Sequence, residues 1–213
     1  MRFIFIIFTF LLFSFDFSYA DRMDVFVFTE EEKETLKVRK IKKKTKYTLG
    51  SNENGNYLKA EAEGVASGLG IEKKINLLKT PYINITWKVE KDLSGIDELS
   101  KKGHDYAARV FVIKKTGSTA LSNRAINYVF SSNEPINKFW KSPFTKKSTD
   151  YVLSTTTNTL DEWVTVKANV KEDFKKLYNL DVNEIDGVAL MTDTDNSKKL
   201  AIAYYQNIYF SAN

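Results

Sequence analysis

The sequence predicts a mainly β protein, an antiparallel β-sandwich of jelly-roll type with one short helix. Three observations carry this: many short runs of β-branched and aromatic residues at a period of two, turn chemistry between them, and a single segment with helical spacing. The helical segments between runs are too few to build a parallel α/β sheet, and a closed barrel is the alternative arrangement of the same strands.

The elements follow in chain order. Arg2 precedes a thirteen-residue apolar stretch, Phe3 to Phe15, broken only by Thr9 and Ser14, and Ser18-Tyr19-Ala20 supplies small residues for cleavage. That pattern is a signal peptide over residues 1–20, too short and too early interrupted by Asp16 to remain as a membrane span after cleavage. Residues 21–46 form a charged N-terminal segment, with a short apolar piece at Val25 to Phe28, then Glu30, Glu31, Glu32 and Glu34, then seven basic residues between Lys37 and Lys46. The acidic run offsets the basic one, and Val38 and Ile41 give little sign of a recognition helix, so this segment is read as a solvated surface and no nucleic acid is expected.

Residues 47–213 form the single sandwich domain. Tyr47-Thr48-Leu49 and Tyr57 to Ala60 flank an Asn- and Gly-rich loop and read as a hairpin. Tyr82 to Val89 places Ile83, Ile85, Trp87 and Val89 on one face. Asp105 to Ile113 puts Tyr106, Ala108, Val110 and Val112 on one face and Asp105, Ala107, Arg109, Phe111 and Ile113 on the other. Further strands are expected at Arg124–Ser131, Tyr151–Ser154, Trp163–Ala168, Ile185–Thr192 and Leu200–Phe210. Lys171 to Tyr178 spaces Phe174, Leu177 and Tyr178 as a helix, with Asn179 just past its end.

The chain has no cysteine and one histidine, which excludes disulfides, thiolate chemistry and any site built from two histidines. A cysteine-free exported domain suits a bacterial periplasm or exterior. No P-loop, dinucleotide fingerprint or ordered serine triad is present. His104, preceded by Lys101, Lys102 and Gly103, is expected to be an exposed loop residue.

Asp193, Asp195 and Asn196 follow an apolar strand closely enough to chelate calcium from one loop, although the same residue types also shape turns. Asp105 and Arg109, with Lys88, Asn127 and Asp193, suggest a charged patch on one sheet. With Trp87, Tyr204 or Tyr205 alongside, planar donors and acceptors would meet sugar hydroxyls and aromatic faces would meet C–H surfaces. Asp105 and Asp193 are also the one carboxylate pair worth testing for glycoside hydrolysis, and a buried Asp–Arg ion pair that only fixes the sheet is the structural alternative.

Several blocks resemble a bacterial family, domain of unknown function 3047: Gly103-His104-Asp105-Tyr106-Ala107-Ala108-Arg109, Asn127-Tyr128-Val129-Phe130, Ser142-Pro143-Phe144-Thr145, Met191-Thr192-Asp193-Thr194-Asp195-Asn196 and Ala203-Tyr204-Tyr205. The blocks come in the family's order between Tyr47 and Phe210, with a departure at His104, where the family usually carries an acid. The resemblance implies an exported protein with a sandwich similar to carbohydrate-binding modules, and implies no activity. The functions in view are therefore a non-catalytic module binding a glycan, a cell-envelope component or another polar ligand through Asp105, Arg109, Asn127 and Asp193; a periplasmic hydrolase using Asp105 and Asp193 on saccharide or envelope polymer; and a structural envelope protein.

Overall fold

A computed structural model describes residues 21–119 and 122–213, apart from the side chains of 158 and 159; the leader expected over residues 1–20 lies outside the described residues. Among the described residues thirteen strands fall into two sheets that face each other as a sandwich, not a closed barrel. One sheet, A, runs β11(Val164–Asn169), β6(Tyr82–Lys91), β13(Leu200–Ser211), β4(Gly55–Glu63), β3(Lys46–Asn52), with β1(Arg22–Phe26) on the end of β13. The other, B, runs β2(Lys37–Lys42), β5(Ala66–Asn76), β12(Glu184–Asp193), β7(Tyr106–Lys114), β8(Arg124–Ser131), β10(Ser148–Thr155), β9(Phe139–Lys141). Every pairing is antiparallel except β8 with β10, so sheet B is mixed where the sequence suggested a wholly antiparallel sandwich.

The period-two strands do what their pattern dictates. Ile83, Ile85, Trp87 and Val89 of β6, with Ala203 and Tyr205 of β13, turn inward from sheet A; Val110 and Val112 of β7, Tyr128 and Phe130 of β8, and Leu190 of β12 turn inward from sheet B. Trp87 and Phe130 meet edge-to-face across this core, 6.1 Å between ring centroids. The expected hairpin is β3 and β4, closing at Asn52 and Gly55, where the glycine's φ of 113° suits a residue without Cβ.

The expected helix is α3(Val170–Tyr178), following α1(Glu30–Thr35) and the one-turn α2(Thr156–Thr159). Asn169 accepts from Glu172 N–H at its start, and Asn179, in the left-handed region at φ 54°, ends it. The charged segment supplies elements to both sheets. β1 adds Val25 and Phe26 to the core, α1 is set by a reciprocal Thr29–Glu32 cap in which the Glu32 carboxylate takes the Val27 and Phe28 N–H groups, and β2 edges sheet B with all six positions exposed. A lysine-rich edge is soluble and resists pairing with another chain.

Two features lie outside the sequence pattern. β5, in the interior of sheet B, contains Gly68 and Gly70 and alternates poorly. β7 carries a bulge opposite β12: Met191 pairs with Arg109 but Asp193 with Tyr106, so two residues of β7 oppose one of β12. Tyr106 consequently leaves the face of Ala108 and Val110, to which its spacing assigned it. It packs instead with Val129 and Val152 in a cluster apart from the main core.

Candidate functional site: a groove on the outer face of sheet B

The outer face of sheet B forms a groove of about 900 Å³. Its floor is low because the residues that point outward from β5 and β12 are small. A Cβ on Gly70 would lie 3.2 Å from the Ala189 Cβ, and one on Gly68 would lie 3.0 Å from the Leu190 carbonyl oxygen. Alternate residues of β2, Lys37, Arg39 and Ile41, form one wall. Phe111 of β7 and the exposed Phe144, between β9 and β10, supply aromatic surface on the other side.

One end of the groove is polar and buried. Arg109 donates to Asp193 Oδ2 at 2.6 Å, and its guanidinium lies against the rings of Tyr106 and Phe111, 5.2 and 5.0 Å from their centroids. Burial above all, helped by the carboxylates of Asp105 and Asp195 and opposed by Arg109, pushes the Asp193 carboxyl up to about 8. Asp105 is saturated from the opposite side. It accepts from the backbone N–H groups of Asn196 and Ser197 and from Asn196 Nδ2. From below, the Tyr205 hydroxyl fills the bulge, accepting from Arg109 N–H at 3.3 Å and donating to the Met191 carbonyl at 2.8 Å.

Next to this cluster runs a chain of polar contacts: His104 Nε2 to Asp150 Oδ2 at 2.8 Å, and Asn127 Nδ2 to Asp150 Oδ1 at 2.7 Å. His104 is 5% exposed, set edge-on between Tyr106 and Phe144, so it is no exposed loop residue. The close approach of Gly103 to the chain explains this: a Cβ there would sit 2.4 Å from the Asp97 carbonyl oxygen, so the glycine lets this segment fold tightly down. Arg109 Nε, Asn127 Oδ1, Asp193 Oδ1 and the Tyr106 hydroxyl are all buried with no hydrogen-bond partner among the described residues. Three of these residues, Arg109, Asn127 and Asp193, line the groove, so its polar end holds buried groups whose hydrogen bonding the chain leaves incomplete.

Of the residues expected in the site, Asp105, Arg109, Asn127 and Asp193 converge here. Trp87 and Tyr204 do not. Trp87 is wholly buried between the sheets, its alternation having made it a core residue. Tyr204 is on the outer face of sheet A, packed with Tyr57 and Trp163, where Lys88 lies 4.6 Å above its ring; Lys88 is likewise absent from the groove. The expected calcium loop is also rearranged. Asp105, Asp193 and Asp195 each bring a carboxylate oxygen within 4.8 Å of the others, while Asn196 turns its amide toward Asp105.

Asp150, Phe111 and Phe144 escaped the sequence reading as site residues, and His104 was set aside by it as a loop residue. Phe111 shares Arg109's alternation and could have been found from it; Asp150 reaches Asn127 only through the parallel register of β8 and β10. Asp105 and Asp193 are near enough for paired-carboxylate chemistry, yet they are 0% and 1% exposed and Asp105 is saturated by N–H donors. Of the two, only Asp193 lines the groove, so they do not flank it as a pair of carboxylates on either side of a scissile bond would.

In comparison with known proteins, no curated protein matches the sequence. Among solved structures, the chain is similar to the family 30 carbohydrate-binding module of the cellulosomal cellulase Cel9D-Cel44B of Clostridium thermocellum, with TM-score 0.51 and 7% identity over 90% of this chain and 98% of that one. It also matches the xyloglucanase domain of NopAA from Sinorhizobium fredii (TM-score 0.43, 12% identity, 83% and 92% covered) and a cellulase derived from Cel12A of Rhodothermus marinus (TM-score 0.42, 9% identity, 91% and 97% covered). At such identities the likeness to the binding module shows the sandwich fold and nothing finer. Residues 31–209 match the family described as a protein of unknown function, DUF3047, and since that span is most of the sequence the chain belongs to this family.

Proposed function

We propose that the protein is a non-catalytic glycan-binding module whose ligand lies in the groove of sheet B. The observation that carries this reading is the groove's composition. A glycine and alanine floor admits a chain-like ligand. The aromatic side chains Phe111 and Phe144 offer C–H stacking surface, and Arg109, Asn127 and His104 place polar groups at one end. A sandwich similar in fold to a carbohydrate-binding module supports the reading without identifying the sugar. The burial of Asp105 and Asp193 favours binding over hydrolysis.

The test is retardation in native gels containing soluble polysaccharides, here hydroxyethylcellulose, xyloglucan and carboxymethylcellulose. Phe144 is 56% exposed, so Phe144→Ala leaves the fold intact and weakens binding about tenfold, the effect of losing one aromatic anchor. Ala189→Leu, which raises the floor, abolishes binding. Equal retardation of both variants and the parent would remove the groove from consideration. In the same reading the module acts outside the cytoplasm after loss of residues 1–20; N-terminal sequencing of the exported protein gives Asp21 as the first residue if this is right.

A further inference from the structure

We infer that Asp105, Asp193 and Asp195 form a binding site for a hard divalent cation, calcium above all, at the polar end of the groove. One carboxylate oxygen from each lies within 4.8 Å of the other two, a spacing that a single ion in oxygen coordination spans. The close charges are predominantly acidic, with Lys198 acting on Asp105 and Asp195 only from beyond ion-pair distance. Among the described residues Arg109 is the one cation in ion-pair contact with any of the three, and one guanidinium faces three carboxylates.

A second observation is independent of that count. Asp193 Oδ1 is buried with no hydrogen-bond partner among the described residues although the side chain is only 2% exposed, and an unpartnered acceptor so placed is costly unless something supplies a donor or a cation. Asp195, half-buried at the edge of the groove, has no side-chain hydrogen bond among the described residues, which leaves its carboxylate open to complete the site. The loop that carries it is rigid: Thr194 N–H bonds the Val65 carbonyl, Lys198 N–H bonds the Thr194 carbonyl, and Asp105 holds the N–H groups of Asn196 and Ser197. Donors that are all oxygen, with no thiolate or imidazole among them, select calcium or magnesium over zinc or copper. Waters in the groove would complete the coordination shell.

This site stands apart from the glycan reading, because the ion is measured with no sugar present. The full chain, stripped with a chelator, is titrated calorimetrically with calcium chloride alone, and its melting temperature is followed in parallel. One saturable site per chain is expected, with a rise in melting temperature, and Asp195→Asn weakens binding at least tenfold while remaining folded, since no hydrogen bond depends on that carboxylate. Asp161→Asn, a distant acid on the outer face of sheet A, leaves binding unchanged. No saturable heat up to about 10 mM, a thousandfold above sensor-type sites, would overturn the proposal in favour of a proton shared among the carboxylates. Undiminished binding by Asp195→Asn would overturn it by placing the ion elsewhere.

Discussion

Arg109 and Asp193 form a pair almost closed to water, with side chains 6% and 2% exposed, so their removal is judged by what each leaves behind. Arg109→Ala strands a buried carboxylate and lowers stability by about 3–5 kcal/mol, whereas replacing both partners with Met and Leu restores most of it; urea denaturation with a chelator present measures both. Tyr205→Phe removes the hydroxyl that occupies the β7 bulge and leaves the Arg109 N–H without its acceptor, at about 1–3 kcal/mol. Glu98 contributes to the pH dependence. Its carboxylate takes the Ser131 hydroxyl and the Ser132 N–H, and burial raises it above the ordinary 4.5. As pH rises past that value the unfolded chain gives up its proton before the folded one does, so the folded chain binds more protons and stability falls toward neutrality. In Glu98→Gln the fall in urea midpoint between pH 5 and 7 is smaller; an unchanged slope would assign the effect to Asp193 and Asp173, both raised by burial in the same direction.

β5 shows how one element sets both fold and site. It lies between β2 and β12, and its glycines, which blur its alternation in sequence, are what lower the groove's floor. Gly68→Val forces a side chain to within 3.0 Å of the Leu190 carbonyl; it therefore separates β5 from β12 and destabilises the sheet besides narrowing the groove. Gly103→Ala disturbs a loop instead of a strand. Its methyl would collide with the Asp97 backbone, releasing His104 from Asp150, and the expected sign is a ring resonance of His104 that moves to the position of a solvated histidine while the core spectrum is unchanged.

For the molecule as a whole, the charged segment 21–46 is part of the sandwich. It contributes Val25, Phe26, Phe28 and Leu36 to the core and a strand to each sheet. A chain beginning at Tyr47 exposes the edges of β5 and β13 and leaves the holes of four apolar side chains. Each buried aliphatic or aromatic group contributes about 1.5–3 kcal/mol, comparable in sum to the whole stability of a domain. Expression of residues 47–213 therefore gives insoluble or molten protein, and residues 21–213 give a cooperative unfolding transition; a soluble, cooperative shorter chain would show that the segment is only appended.

What the sequence determined by itself is whatever depends on neighbours along the chain. The alternation in β6 and, past Tyr106, in β7, the strands at β8, β12 and β13, the Asn and Gly turn of β3 and β4, and the spacing of α3 with Asn179 at its end are local properties, and each appears in the structure where the pattern put it. The convergence of Asp105, Arg109 and Asp193 is not local: it comes from the pairing of β7 with β12, which the sequence reading did not assign. Tertiary structure alone decided the rest. Alternation assigns a residue to a face but not a face to the core or the solvent, which is why Trp87 is internal and Tyr204 lies on the far sheet. A one-residue bulge reverses the side of Tyr106, and the parallel β8–β10 pairing, which no local signal encodes, brings Asp150 to Asn127 and His104. Burial, charge balance and the depth of the groove are sums over residues far apart in sequence, so they exist only once the two sheets have closed.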